Sequence, residues 1–312
     1  MRLEDGSLSK KQIKLQVCNR AGELYILGSS FFLALSTVIT HIFTRESNPV
    51  LIVFYSFSIA FLLLFFIRLH HTKLLLQEVA KNWSLVLANN LSTSIDWILI
   101  FIALKYTSGS LVNCFVFGIA PIATLLLSIK SYTSKRQLIK DALTSSIICL
   151  LLFLLSRLYY QQVDYSVKTN LILGIGLCCL SGVATGITAL TCKSLFHRGF
   201  SNLDIMKTRY ILLIITAYFI LIILKIDFTI DLLFLLKMLC LSVIFVLLPA
   251  ILFQKGIKRI SSVSVIIINS FIPAMTYFLQ LLDPNYRLDI KELILILLLS
   301  MTILIAILYR RN

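Results

Sequence analysis

The sequence predicts an all-α polytopic membrane protein: ten transmembrane helices arranged as two inverted five-helix repeats. Three observations carry this. The 312 residues are 59% hydrophobic with mean hydropathy +0.94, and only 14% are charged, against about 25% in soluble domains. The apolar runs are continuous and do not alternate with period two, which selects helices over barrel strands. The basic residues fall unevenly on alternate loops, as the positive-inside rule requires of a spanning protein. A span needs about 20 apolar residues, so ten spans leave short loops and no soluble domain.

Residues 1–23 are polar and mixed in charge and are read as a cytoplasmic tail. They lack the basic stretch, apolar stretch and small-residue cleavage site of a signal peptide, so the first span is expected to be retained. Apolar runs bounded by charged or turn residues then give the spans in order. Span 1 is Leu24–Phe43 and span 2 Pro49–Ile67. Span 3, Ser84–Leu104, is the least apolar, with Asn89, Asn90 and Asp96 inside it. Span 4 is Ser110–Ile129 and span 5 Leu138–Leu158. Span 6, Leu171–Leu190, carries the small residues Gly174, Gly176, Ser181, Gly182, Ala184 and Gly186. Span 7 is Ile205–Leu224, span 8 Leu232–Phe253, span 9 Ser262–Leu282 and span 10 Leu293–Tyr309. Gly182 and Gly186 form a G-x-x-x-G spacing, which serves either tight packing within the bundle or a homodimer contact.

The net charge of +15 does not indicate nucleic acid, because the basic residues sit singly between apolar runs. It indicates orientation. With the N-terminus cytoplasmic, 19 Lys and Arg fall on the cytoplasmic side and eight on the other, leaving Lys207 and Arg209 inside span 7. Both termini are therefore expected in the cytoplasm. The seven cysteines have no zinc-ligand spacing and are read as buried hydrophobes. His41, His70, His71 and His197 pair with no Cys or acid at ligand spacing, so no metal site is expected. No cofactor, no Walker A loop and no catalytic motif is present, so neither an enzyme nor ATP-driven transport is indicated.

Two internal matches suggest duplication. Ser47-Asn48-Pro49 matches Ser201-Asn202-Leu203, and at that offset Tyr55 falls on Arg209. Lys105, running on to Pro121, matches Lys258, running on to Pro273. Together they set residues 24–160 against 161–312. Five spans is an odd number, so the second copy is inverted. The charge bias follows the inversion: the loop at Lys258-Arg259 is more basic than the one at Lys105. Such halves can exchange conformations, which is the physical basis of alternating access.

The layout resembles the drug/metabolite transporter superfamily, in particular its EamA-type members. The resemblance rests on Ala103-Leu104-Lys105-Tyr106-Thr107-Ser108-Gly109-Ser110, then Ile119-Ala120-Pro121 with Leu125-Leu126 following. Ile272-Pro273 echoes it in the second half. Arg209 stands where such proteins often carry an arginine early in the second span of a repeat; Tyr55 takes that place in the first repeat. Lys135-Arg136 replaces the acidic residue expected at the start of span 5, and glycine is sparse, 11 in 312. The resemblance implies a helix bundle around a central cavity, moving small organic solutes by alternating access.

Asp96 is the sharpest candidate. A charge near the bilayer midplane costs about 2.5–3.5 kcal/mol on insertion scales, so it should face a wet cavity or a polar partner. It reads as a substrate counter-ion, a proton-coupling carboxylate or a structural partner. Arg209 is a candidate to hold a carboxylate or phosphate bidentately. Lys207 either lines the path or reaches the cytoplasmic interface. Asn90, Asn113 and Asn269 are mid-span amides, suited to a cavity wall or to hydrogen bonds between helices. Tyr55, Trp97 and Tyr277 either stack on a planar substrate or pack on neighbours.

The expected function is secondary transport of a small organic metabolite, amino-acid-like, nucleoside or S-adenosyl-type. Asp96 suits a cationic group and Arg209 an anionic one; a zwitterion uses both. Coupling is by protons or by exchange. Export of drug-like cations is the alternative, followed by a lipid translocase or a non-transporting receptor. The expected location is the bacterial inner membrane.

Overall fold

The computed structural model describes residues 10–66, 72–127, 129, 135–162, 164–165, 168–228, 231–257, 259, 268–284 and 286–311. The apolar runs become helices because a helix pairs its backbone groups within its own segment, which lipid demands. They are α1 (Lys10–Glu46), α2 (Pro49–Phe66), α3 (Thr72–Lys81), α4 (Trp83–Tyr106), α5 (Gly109–Leu127), α6 (Lys135–Gln162), α7 (Lys168–His197) and α8 (Asn202–Ile223). Then come α9 (Leu232–Cys240), a π-helical segment (Leu241–Leu247), α10 (Leu248–Ile257), α11 (Ile272–Gln280) and α12 (Ile290–Arg311). No strand occurs among the described residues.

Among the described residues eight stretches are long and apolar enough to cross a membrane: α1 from Arg20, α2, α4, α5, α6 from Ile139, α7, α8, and the run from α9 into α10. The first eight expected spans fall on these. The tenth falls on α12. The first part of the ninth, through residue 267, lies outside the described residues, and its remainder bends at Ser270-Phe271 before α11. Pro273 therefore stands in the first turn of a helix, where its missing N–H costs nothing. The helix α1 begins inside the segment read as a polar tail.

Two local features differ from a plain run of spans. The segment between spans 2 and 3, read as loop, contains α3. Leu75 and Val79 sit one helical turn apart and pack on Val86, Leu195, Phe200 and Ile205, while Leu76 and Trp83 stay exposed. The helix closes that end of the bundle, here called the Arg198 face; the opposite end is the Arg45 face. The π-helical segment lies just before Pro249. Proline has no N–H to donate and crowds the carbonyl four residues back. The helix widens by one residue per turn, and the Leu248 N–H bonds Val243 O. Ser29 Oγ of α1 donates to the Pro249 carbonyl at 2.8 Å.

Helix ends follow from local chemistry. Ser201 opens α8 with a capping box: its hydroxyl accepts from the Asp204 N–H, and the Asp204 carboxylate accepts from the Ser201 N–H. Asp231 caps α9 by accepting from Phe234 N at 2.7 Å. Gly199 stops α7 at φ 88°, a conformation that favours glycine.

The helices pair in a pattern with internal exchange. Helices α4 and α5 of the first half pack on α7 of the second; α10 and α11 of the second pack on α1 of the first. Exchanging α1 with α7, α2 with α8, α4 with the α9–α10 run, α5 with α11 and α6 with α12 turns one set into the other. The pairs α2–α8, α5–α11 and α6–α12 map onto themselves. One apolar core gathers around Phe57, Phe101, Tyr210 and Leu213, another around Leu111, Phe115, Leu155 and Tyr277. The outward faces stay apolar: Ile139, Leu143, Leu150 and Phe153 of α6 are exposed. A surface of that kind needs lipid around it, and the chain is an integral, multi-pass membrane protein.

Gly182 and Gly186 of α7 serve packing within the bundle. A Cβ on Gly182 would lie 2.7 Å from Ile119 Cβ, and one on Gly186 3.0 Å from Ala120 O, both on α5. Gly182→Val is expected to force α5 and α7 apart and cost about 1–3 kcal/mol. A lowered melting temperature of the purified protein in detergent checks this; an unchanged one would show that the contact is not close-packed.

Candidate functional site

The site begins with two rows of polar side chains that the apolar background isolates. On α4, Asn89, Ser92 and Asp96 recur every three to four residues and so share one face. On α7, Ser181, Thr185, Thr188 and Thr191 do the same. The helices run antiparallel, and the rows meet in register. Ser181 Oγ and Thr185 Oγ1 donate to Asp96 Oδ1 at 2.5 and 2.8 Å. Thr188 Oγ1 donates to Ser92 Oγ at 2.8 Å. Thr191 Oγ1 and the Cys192 thiol donate to Asn89 Oδ1 at 3.0 and 3.2 Å. Each pairing replaces water that a buried polar group has lost.

Asp96 is 9% exposed. Hydrogen bonds to a charged group contribute about 1.5–3 kcal/mol each, so two hydroxyl donors offset much of its burial. Arg209 on α8 lies near enough for its charge to act on Asp96, yet the two form no ion pair within 4 Å. The Arg209 guanidinium lies 4.9 Å from the Tyr210 ring centroid and donates to the Tyr210 hydroxyl at 3.0 Å. It also reaches the Cys192 thiol. Its Nε is buried without a hydrogen-bond partner. Phe57 sits between Trp97 and Tyr210, at 5.0 and 5.1 Å between ring centroids. An acid on α4 and a base on α8 thus lie in one neighbourhood without pairing directly.

The other expected site residues lie elsewhere. Asn90 is buried, and its amide donates to Val86 O of its own helix at 2.9 Å. Tyr55 is half-buried toward the Arg45 face and donates to Phe228 O at 3.2 Å. It is far along the bundle from Arg209, because α2 and α8 start from opposite faces. Lys207 is half-buried near the start of α8. Asn113 ties three helices, donating to Thr37 Oγ1 of α1 at 3.2 Å and Thr276 Oγ1 of α11 at 2.7 Å. Asn269 accepts from Ser30 Oγ at 2.9 Å. Tyr277 is fully buried and closes on the backbone of Asp289, donating to its carbonyl at 2.7 Å and accepting from its N–H at 2.8 Å.

Two arrangements at the Arg45 face were not anticipated. Arg45 of α1 pairs with Asp283 at 2.7 Å, and Asp283 is only 2% exposed. His41 Nδ1 donates to Leu104 O at 2.6 Å, so its Nε2 accepts from Arg45 at 3.0 Å. Beside this strap Glu292 is 3% exposed. It accepts from Ser110 Oγ at 2.8 Å, Tyr286 OH at 2.7 Å, and Tyr159 OH. Glu292 precedes the apolar run that starts at Leu293. Burial pushes its carboxyl above the usual carboxylate range, while the bonds from Tyr159, Tyr286 and Ser110 pull it down. In the loop before it, burial, then Tyr159 and Glu292, push the Tyr286 phenol up.

Residues 20–157 match the EamA-like transporter family. Over that segment the chain is similar to EamA-like transporters of the drug/metabolite transporter superfamily. One solved crystal structure aligns with it over 95% of this chain and 99% of its own, at TM-score 0.61 and 12% identity; that likeness establishes the fold. No curated protein matches the sequence. The EamA-like match ends before Ser181, Thr185 and Arg209, so the polar face on α7 and the α8 arginine stand on this chain's own geometry.

Removing both donors from Asp96, with Ser181→Ala and Thr185→Val together, leaves a buried carboxylate unsolvated. The double variant is expected to lose about 1–3 kcal/mol, more than Asp96→Asn alone. Melting temperatures of the purified variants compare the two; equal losses would mean that the hydroxyls do not solvate the charge.

Proposed function

We propose that the chain is a secondary transporter for a small zwitterionic metabolite, an amino-acid-like or S-adenosyl-type solute, working by alternating access. The observation that carries the reading is the separated pair Asp96 and Arg209. In an apolar bundle two opposite charges lower their energy by meeting, and here hydroxyls on α7 and the Tyr210 ring hold them apart. An ammonium group fits against the Asp96 carboxylate, and a carboxylate fits the Arg209 guanidinium, whose Nε has an N–H to give. Trp97, half-buried beside Asp96 in the chain, offers a face for the body of the solute.

Alternating access follows from ten spans forming two inverted repeats. The exchange pattern of helix contacts supports that arrangement, as does the charge bias of the loops. The Arg198 face is read as cytoplasmic, with both termini there, in a bacterial inner membrane. Both ends are covered in this conformation: the Arg45 face by the Arg45–Asp283 pair and the His41 bond to Leu104, and the Arg198 face by α3. Coupling is read as proton movement or solute exchange. A homodimer remains an open proposal: the α7 glycines that suggested one are occupied by α5.

A second reading has its own observation. Tyr210 and Cys192 already engage Arg209, which would leave Asp96 to hold a cation alone. Flux into proteoliposomes separates the two readings. The panel spans amino acids, nucleosides, S-adenosyl compounds and organic cations. Asp96→Asn is expected to lower flux of zwitterions and cations at least tenfold, and Arg209→Gln to lower only zwitterion flux, by about tenfold. Cation flux without zwitterion flux selects the cation exporter. Wild-type flux in Asp96→Asn overturns both.

A further inference from the structure

Glu292 plays no part in the Asp96–Arg209 site, and its surroundings are unusual for a buried acid. Among the described residues no Lys, Arg or His lies within 4 Å of its carboxylate. All its partners are hydroxyls. Oε1 accepts from Ser110 of α5 and Tyr159 of α6, and Oε2 accepts from Tyr286 of the α11–α12 connection. Ser108 Oγ lies 2.7 Å from the Tyr159 hydroxyl and 3.2 Å from Ser110 Oγ, extending the network. A carboxylate placed to hold charge for stability alone is usually met by a cation. One met only by neutral hydroxyls can bind a proton without leaving an unpaired cation behind.

The partners also come from both halves of the chain. Ser108, Ser110 and Tyr159 belong to the first, and Tyr286 and Glu292 to the second. A neighbouring contact joins the same halves: the Ser110 N–H donates to Gln280 Oε1 at 2.7 Å. When ionised, Glu292 accepts three O–H bonds, and those from Ser110 and Tyr159 cross this junction. When protonated, one of its oxygens becomes a donor and competes with the hydroxyl that pointed at it. The junction is then held by fewer and weaker bonds.

We propose that Glu292 is a proton-binding site, and that its occupancy decides how firmly the Arg45 face is closed. The charged and titratable groups that face it are Tyr159 of α6, Cys114 of α5, Tyr277 of α11, and Tyr286 and Asp289 of the connection. Asp289 is the charged one, and its negative charge favours the proton. His41 belongs to the adjacent strap, bonded to Arg45 and Leu104, and not to this network. The role of the site in transport rests on the reading of the chain as a transporter, with the proton as coupling ion. Proton uptake from the Arg45 side would loosen that face, and release would close it.

The test needs no solute, so it is independent of the flux experiment above. Infrared difference spectra of the full chain in liposomes, taken between pH 8 and pH 5, report protonated carboxyl groups. Hydrogen exchange, corrected for intrinsic rates, reports closure of the segment from Gln280 to Glu292. The wild type is expected to gain a carboxyl band and lose protection in that segment by about tenfold over the same pH interval. Glu292→Gln is expected to lack that band and to exchange fast at both pH values. Tyr159→Phe and Tyr286→Phe keep the acid and remove a donor to its ionised form, so the midpoint should rise by about one pH unit. They carry the test if the glutamine variant does not fold. An unchanged band in Glu292→Gln, unmoved midpoints in the tyrosine variants, or wild-type protection independent of pH would each overturn the proposal. Absence of flux for every solute would overturn the transporter reading and leave this titration standing.

Discussion

Hydrogen bonding between α4 and α7 is the constraint on which the rest of the bundle depends. An unpaired polar group inside an apolar membrane protein is costly, and this chain places an acid, an amide and a serine on one face of α4. Each is answered from α7 at matching height. That register fixes how far α7 can slide along α4. It also brings Gly182 and Gly186 against α5, where anything larger would collide. Packing of α5 and seating of α7 are then one event. Arg209 on α8 completes the arrangement, because α8 packs on α4 beside the same face.

The two ends of the bundle are closed by different means. At the Arg198 face α3 lays Leu75 and Val79 over the bundle, and Arg198 reaches the Asn82 side chain. Those contacts are largely apolar and are set by shape. At the Arg45 face the closing contacts are charges and hydroxyls: Arg45 to Asp283 and Glu292 to Ser110 and Tyr159 between the halves, with His41 to Leu104 and Glu292 to Tyr286 within them. Apolar contacts are insensitive to protons. Polar ones are sensitive, which is why the proposed proton-dependent step is placed at this face.

The legible part of the site was the part carried by rare residues. Asp96 and Arg209 stand out because a charge in an apolar run demands a reason, and they do lie in one neighbourhood. The same attention missed Thr185, Thr188 and Thr191, since threonine is common in spans. The three-to-four-residue recurrence on α4 and α7 was available as a signal. Asn113 and Asn269 read in the sequence as mid-span amides and Tyr277 as an aromatic that stacks or packs; the structure uses all three in contacts between helices and connections away from Asp96. Glu292 was passed over as an ordinary charge at the edge of a span, because its burial arises from Tyr159, which is 133 positions away.

Composition determined the solvent of this protein. With so few charges the chain must face lipid, and lipid permits helices whose lengths follow from the apolar runs. Eight described helices long enough to cross a membrane lie where those runs lie. Composition also made Asp96 and Arg209 conspicuous. Tertiary structure alone decided what answers them, because partners on separate helices are set by packing register, which no local pattern encodes. It likewise decided that the α7 glycines meet α5, that Pro249 is relieved by a widened turn, and that Glu292 is enclosed by hydroxyls from both halves of the chain.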